Sequence, residues 1–168
     1  MTHDSLPTAH VRLLLLRVMS IAACALALGC ASPPVPVADP GPAMLSAEQS
    51  NDVAIHALGL VGTPYRYGGN TPAGGFDCSG LIGYVYRLSV GQATPRTVAR
   101  MAAFGRPVPV SQIRSGDLVL FGAATPSHAG IYVGEGRFVH APSTGGEVRL
   151  DRLDGVYWSR QPTQVRRL

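Results

Sequence analysis

The apolar residues of the chain recur at helical spacing between positions 46 and 104. This spacing predicts a first helix over 52–60, a second over 81–88 and a short third helix over 97–104. Ser46 and Gln49, three residues apart, have the pattern of a capping box and mark the start of the first helix. The positions that define the three helical faces are Val53, His56, Ala57, Leu60, Leu81, Tyr84, Val85, Leu88, Val98, Met101 and Ala102.

The period of the pattern changes after the third helix. Four short apolar runs, at 117–121, 129–133, 137–140 and 148–150, are separated by turns that contain glycine. Such runs predict the strands of an antiparallel sheet. Helices followed by strands predict an α+β domain, which we place at 48–168, because roughly 120 residues are enough to bury one hydrophobic core.

Residues 1–29 have the order of a secretory signal peptide. Two arginines precede an apolar run over 18–27, and this run is shorter than the ~20 residues that cross a bilayer. The four residues that end at Cys30, Ala-Leu-Gly-Cys, resemble the bacterial lipobox, which predicts cleavage before Cys30 and a lipid on its thiol. An uncleaved membrane anchor is the alternative interpretation.

A proline-rich segment follows at 30–47. Prolines favour an extended chain, so we expect a tether that holds the domain away from a membrane to which the lipid binds. A disordered leader with no spacer role is the alternative. The residue after Cys30 is Ala31 rather than an aspartate. In lipoproteins of Gram-negative bacteria, this resembles the signal for passage to the outer membrane. The predicted location is therefore the cell envelope, as an outer-membrane lipoprotein that faces the periplasm.

Composition and charge exclude two classes of protein. All 14 basic residues are arginines, and against 10 acidic residues they give a formal net charge of +4 with no basic run. Nucleic-acid binders gain affinity from many clustered phosphate contacts, so we predict no nucleic-acid partner. A charged fraction of 14% and a mean hydropathy of +0.16 also exclude a fully disordered chain.

One cysteine and two histidines carry the candidate chemistry. Cys78 is the only free thiol expected in the mature chain, since Cys24 lies in the leader and Cys30 would carry lipid. A helix N-terminus lowers a thiol pKa, so Cys78 is predicted to be a reactive thiolate. A nucleophilic thiol also needs a base and a third group that orients the base, and His128 and His140 are available in neighbouring strands.

The register of those two strands determines whether the histidines meet. A three-residue loop centred on Glu135 pairs His140 with Gly130, which shares a strand face with His128. A two-residue loop at Glu135 and Gly136 puts the histidines on opposite faces unless a bulge intervenes. The sequence leaves both arrangements open.

Four segments together resemble the NlpC-type family of bacterial cell-wall cysteine peptidases. They are PYRYGGNTPAGGFDCSGLIGYVYR, TPRTVARM, RSGDLVLFG and SHAGIYVGEGRFVHAPSTGGEVRLDRL, and the resemblance covers 54–168. It implies a papain-like α+β fold, with helices packed on a C-terminal antiparallel sheet. It also implies hydrolysis of peptidoglycan stem peptides, commonly between γ-D-glutamate and meso-diaminopimelate.

The motifs of the family assign roles to residues of this chain. By resemblance, Cys78 in D-C-S-G is the nucleophile, His128 in H-A-G-I-Y is the general base and acid, and His140 in F-V-H-A orients that base. Tyr65 in Y-R-Y-G-G matches a tyrosine proposed to stabilise the oxyanion. An extra glycine at 74–75 departs from the family pattern and moves Tyr65 one residue further from Cys78.

The resemblance further implies that Asp77 and Ser79 help to bind the polar end of a stem peptide. It implies a monomer with no metal and no cofactor. Three alternatives remain open: a catalytically silent domain that binds peptidoglycan or a partner protein, a cysteine amidase that releases the whole stem, and a zinc site. The zinc site is disfavoured because Cys78, His128 and His140 are 50 and 12 positions apart and no fourth ligand is evident.

Other polar and aromatic residues are given structural interpretations. We expect Arg66, Arg96 and Arg100 to form a solvated face rather than to bind stem-peptide carboxylates. Tyr157 and Trp158 are expected to pack the last segment of the chain, and Asp117 is expected to fix the turn into a strand.

Overall fold

The computed structural model describes residues 44–144 and 146–168. The predicted signal peptide, the predicted lipid on Cys30 and most of the predicted tether lie outside these residues. No helix among the described residues is both long enough and apolar enough to cross a membrane.

Three helices precede the main sheet in the described chain, as predicted, although a short hairpin at 70–76 lies between the first and the second. They are α1 (Ala47–Leu58), α2 (Cys78–Val90) and α3 (Val98–Met101). The capping box of α1 is confirmed, because the Gln49 amide donates to Ser46 Oγ at 3.1 Å and the Ser46 amide donates to Gln49 Oε1 at 2.9 Å. The helix therefore begins directly after Ser46, where the capping box places it, five residues before the start of the predicted 52–60 apolar pattern.

Two positions of the predicted helical faces are wrong. His56 is exposed, and its Nδ1 lies 2.7 Å from Ser89 Oγ. Leu88 is 59% exposed and therefore lies outside the buried face of α2. The buried side chains of α1 and α2 include Val53, Ala54, Ala57, Leu81, Ile82, Val85 and Tyr86.

The sheet has six antiparallel strands in the order β3-β8-β4-β5-β6-β7. Four of them confirm the predicted apolar runs: β4 (Leu118–Phe121), β5 (His128–Gly134), β6 (Arg137–His140) and β7 (Arg149–Arg152). The strands β3 (Arg106–Val108) and β8 (Thr163–Arg167) were not predicted. Each has a single buried residue, so neither has a clear apolar period.

Both faces of the central strands are buried, which is why β4 is apolar at every position. One face packs on α1 and α2 through Leu118, Leu120, Ile131 and Val139. The other face forms a second cluster with Val119, Phe121, Tyr132, Phe138, Trp158 and Val165. The predicted α+β arrangement, helices on an antiparallel sheet, is confirmed.

A short hairpin precedes α2 and places its N-terminus. The strands β1 (Asn70–Thr71) and β2 (Gly75–Phe76) pair across a three-residue loop, and Tyr65 forms a bridge to Phe76. The extra glycine of the sequence lies at the end of this loop. Tyr65 is thereby brought beside the residues that open α2.

Asp117 has the structural role that was predicted for it. It is buried at the start of β4, where its carboxylate accepts hydrogen bonds from the Arg114 amide at 2.9 Å and from Arg167 at 2.7 Å. The pair with Arg167 joins the turn before β4 to the neighbouring strand β8. A buried carboxylate needs such partners, because an unpaired charge is costly to remove from water.

Candidate active site

A two-residue turn and a bulge together bring the two strand histidines into contact. Glu135 and Gly136 form the turn between β5 and β6, with φ values of 51° and 70°. A bulge at 132–134 then shifts the register, so that Gly130 pairs with His140. His128 shares the face of Gly130, and His128 Nε2 lies 2.8 Å from His140 Nδ1. The sequence had left this register open.

Asp151 extends this pair to a chain of three side chains, and sequence analysis missed it. Its Oδ2 lies 3.0 Å from His140 Nε2 and accepts hydrogen bonds from Trp158 Nε1 at 2.8 Å and Arg149 Nη2 at 2.9 Å. Asp151 pairs with Phe138, which shares a face with His140. The alternation of faces along the strand could have identified Asp151, but the predicted strand, 148–150, ended one residue before it.

Trp158 has a larger part in the site than the predicted packing role. Its ring is 9% exposed and lies 5.3 Å from the His128 ring and 5.1 Å from the His140 ring, centroid to centroid. The His128 ring stacks on it at an interplanar angle of 25°. Trp158 therefore covers both imidazoles and at the same time donates to Asp151.

The pKa values of these groups favour two neutral imidazoles beside one carboxylate. Burial lowers the pKa of His128 to about 4, and the neighbouring His140 adds to this effect. Burial also lowers the pKa of His140 to about 4, although Asp151 opposes the shift. Burial raises the pKa of Asp151, but hydrogen bonds from Trp158 and Arg149 outweigh it and hold that pKa below its usual range.

The hydrogen-bond partners then fix the proton positions. An ionised carboxylate only accepts, so His140 Nε2 carries the proton that faces Asp151. The Nδ1 of a neutral His140 is then an acceptor, and His128 Nε2 donates to it. Neutral His128 is left with an unprotonated Nδ1, which is the atom a general base requires.

Cys78 is the first residue of α2, as predicted, but the prediction of a lowered thiol pKa is wrong. Burial raises the pKa of Cys78, and the carboxylate of Asp77 raises it further. Backbone N–H groups of Ser79 and Ala129 lower it only in part. The thiol is therefore protonated at rest, and it lies beside the amide of the residue that follows His128.

Two adjoining pockets form one cleft over these residues. The first, the Cys78 pocket, has a volume of about 540 Å³ and the second, the His128 pocket, about 480 Å³. Ser127 lines both. The Cys78 pocket is lined by Tyr65, Tyr67, Gly68, Asp77, Cys78, Ser79, Arg96, Thr97 and Ser127. The His128 pocket is lined by Ser127, His128, Pro142, Ser143, Thr144, Arg149, Tyr157 and Trp158.

Asp77 and Ser79 line the Cys78 pocket, but their side chains are already engaged. Asp77 caps α2 through the Gly80 amide at 2.7 Å and also accepts from Ser79 Oγ and the Gly68 amide, each at 2.9 Å. Arg96 donates to both oxygens of Asp77, at 2.7 and 2.9 Å, and to Ser79 Oγ. Arg96 is exposed, as predicted, with 46% of its side chain accessible, but its guanidinium also forms a bidentate pair with Asp77 that was not predicted.

Tyr65 lies in the Cys78 pocket, where the sequence placed it. Burial raises the pKa of Tyr65, and the neighbouring Cys78 and Asp77 raise it further, so its hydroxyl stays protonated and is a hydrogen-bond donor. Within residues 44–144 and 146–168, no group of three or more His, Cys, Asp and Glu side chains is arranged to hold a metal ion.

Comparison with known proteins adds family relationships to this geometry. A model described as the NlpC/P60 family matches residues 62–167. The murein DD-endopeptidase MepH of Escherichia coli strain K12 is 42% identical over 127 residues, covering 72% of this chain and 47% of MepH. The gamma-DL-glutamyl hydrolase of Bacillus subtilis strain 168 is 41% identical over 118 residues, covering 68% of this chain and 28% of that protein.

Solved structures agree with this relationship. The NlpC/p60 domain of the peptidoglycan hydrolase SagA superposes with a TM-score of 0.61 at 32% identity, covering 69% of this chain and 97% of that domain. The curated relatives are longer proteins, and this chain spans about half of MepH or less than a third of the Bacillus hydrolase.

Proposed function

The chain belongs to the NlpC/P60 family, and on that premise we propose that it is a cysteine peptidase that hydrolyses amide bonds in peptidoglycan stem peptides. The observation that supports this proposal best is the hydrogen-bonded chain from His128 through His140 to Asp151, together with the Cys78 thiol beside the amide of Ala129, the residue after His128. It leaves an unprotonated nitrogen on His128 at a cleft that contains a nucleophile. The relatives named as murein endopeptidases support the same class of substrate.

The proposed reaction begins from a neutral thiol and a neutral imidazole. His128 Nδ1 takes the thiol proton as Cys78 Sγ attacks the amide carbonyl, so charge develops only when substrate is present. The Cys78 amide at the start of α2 and the Tyr65 hydroxyl donate to the oxyanion. His128 then gives its proton to the leaving amine, and the same ring activates the water that hydrolyses the thioester. His140 orients His128 throughout.

The proposed bond lies between γ-D-glutamate and meso-diaminopimelate. The relative named gamma-DL-glutamyl hydrolase supports a glutamyl bond. The relatives named murein DD-endopeptidase favour a second candidate, the cross-link between D-alanine and diaminopimelate. Both reactions use the same nucleophile and base, and they differ in the substrate residues on each side of the carbonyl.

Incubation of the full chain with purified peptidoglycan, followed by muramidase digestion and mass spectrometry of both released peptides and glycan-linked stems, tests these assignments. Glycan-linked stems that end at γ-D-glutamate establish the first bond, conversion of cross-linked stems to uncross-linked stems that end at D-alanine establishes the second, and release of whole stems establishes an amidase. Cys78→Ala should release nothing, whereas Cys30→Ser should match the wild type. Persistent cleavage by Cys78→Ala would refute the nucleophile. Sedimentation with the wall but no cleavage by either protein would favour a binding module.

We also propose that the protein is an outer-membrane lipoprotein that faces the periplasm, in which the thiol of Cys30 is acylated after removal of residues 1–29. The proposal rests on the lipobox-like sequence and on the proline-rich segment that follows. Metabolic labelling with a radioactive or alkyne fatty acid should mark the wild type and not Cys30→Ser. Label on both proteins, or on neither, would refute acylation of this cysteine.

A further inference from the structure

The His128 pocket adjoins the Cys78 pocket on the side of the proposed general base. His128 lines it, and Ser127 joins it to the pocket that contains Cys78. If the proposed reaction is correct, His128 protonates the departing amine, so the half of the substrate that carries this amine lies beside the ring. A volume of about 480 Å³ is enough for one amino-acid residue and part of the next.

Arg149 supplies a positive charge to this pocket. Its Nε and Nη2 donate to Asp151 Oδ2 at 3.2 and 2.9 Å, which fixes the position of the guanidinium. Among the residues that the structure describes, Nη1 has no hydrogen-bond partner, and 43% of the side chain is exposed. The same Asp151 oxygen also accepts from Trp158 and contacts His140. The negative charge of Asp151 is therefore shared between Arg149 and two other partners.

A fixed guanidinium with unused N–H groups matches a carboxylate in both charge and geometry. Tyr157 stands beside it in the same pocket, with its ring perpendicular to Trp158 at a centroid distance of 4.8 Å. The Tyr157 side chain is 64% exposed. This aromatic surface is suited to contact the aliphatic chain of a diamino acid.

We propose that the His128 pocket is the subsite for the residue that carries the leaving amine, and that Arg149 binds a free carboxylate of that residue. The ligand class is a carboxylated diamino acid, as both candidate stem-peptide bonds provide. This inference rests on the proposed hydrolysis. It predicts that neutralising the substrate carboxylate and neutralising Arg149 have the same effect, because each removes one partner of a single contact.

The test compares two soluble stem-peptide substrates that differ only at the diamino acid on the leaving side, whose carboxylate is either free or amidated. For the wild-type full chain we expect kcat/KM to be ~10-fold or more lower on the amidated substrate, the usual range for a hydrogen bond to a charged group. Arg149→Gln should lose the wild-type preference for the free acid, because any slowing that arises through Asp151 affects both substrates alike and cancels in the ratio of their kcat/KM values. Arg152→Gln is the matched control, since Arg152 lies on the same strand but pairs with Asp154.

Each other outcome overturns a defined part of the argument. Equal wild-type rates on the two substrates would overturn the carboxylate subsite and leave the hydrolase intact. An Arg149→Gln variant that slows both substrates equally would overturn it too, because Arg149 would then act only through Asp151. Cleavage of neither substrate by the wild type would refute the proposed function, and the subsite with it.

Discussion

Replacement of Asp151 tests whether the hydrogen-bonded chain behind His128 sets its protonation. In Asp151→Asn the amide oxygen still accepts from His140 Nε2, so the tautomer is kept while the negative charge is lost. In Asp151→Ala the His140 proton is free to move to Nδ1. That proton would face His128 Nε2 and favour the His128 tautomer whose Nδ1 is protonated, which is not a base. The alanine variant should therefore be the slower one.

The structure gives the size of the expected loss. The His140–Asp151 contact is a 3.0 Å hydrogen bond to a charged group, of the kind that contributes about 1.5–3 kcal/mol. Because ~1.4 kcal/mol is tenfold in rate, kcat of Asp151→Ala should fall about 10- to 150-fold, and kcat of Asp151→Asn should fall by less because its amide oxygen keeps the hydrogen bond. KM should rise as well in Asp151→Ala, because Asp151 fixes Arg149 in the His128 pocket, so kcat is the parameter that reports on the histidines.

The assay is steady-state cleavage of a soluble stem peptide as a function of pH. Asp151 raises the pKa of His128, so in Asp151→Asn the acid limb of kcat/KM should move to lower pH. A residue with a purely structural role would not move this limb. Asp154→Asn, which changes an exposed aspartate paired with Arg152, is the control. A folded Asp151→Ala protein with wild-type kcat would refute the argument.

Three further predictions concern the same elements. Because burial lowers the pKa of His128 to about 4, the wild-type kcat/KM should rise through about pH 4 and be level by pH 6, and an acid limb near 6.5 would contradict the burial argument. The buried histidines of the folded protein resist protonation, so the free energy of unfolding from urea titrations should decrease as the pH falls from about 6.5 to about 4. Gly80→Ala should destabilise the protein in thermal unfolding, because its Cβ would lie 2.0 Å from the Gly69 carbonyl oxygen, whereas Gly83→Ala, with its nearest atom at 3.4 Å, is the matched control and should not.

Part of the site was predictable because its signals are local. The position of Cys78 at the start of α2 follows from the apolar spacing of 81–88, and Asp77 caps that helix. The histidines were identified as residues in neighbouring strands. The family resemblance of these motifs is confirmed by the match over residues 62–167. The roles assigned to the matched residues remain proposals that the experiments above test.

Other features of the site were not predictable because they depend on contacts between distant segments. The bulge at 132–134 decides the histidine register, yet a bulge leaves no distinctive pattern in so short a strand. Arg96 pairs with Asp77, 19 positions earlier, and no local pattern links the two. The prediction of a lowered pKa for the Cys78 thiol was wrong because it considered the N-terminus of α2 and not the burial of the thiol.

The sequence by itself determined the order of helices and strands, the cap of α1, the α+β class and the residue types available for thiol chemistry. Apolar periodicity and capping are properties of short segments, so these can be read before the chain folds. The tertiary structure alone decided that Asp151 and Trp158 stand behind the histidines and that Arg149 lines the His128 pocket. Protonation states also belong to the folded molecule, because they depend on the water that packing excludes.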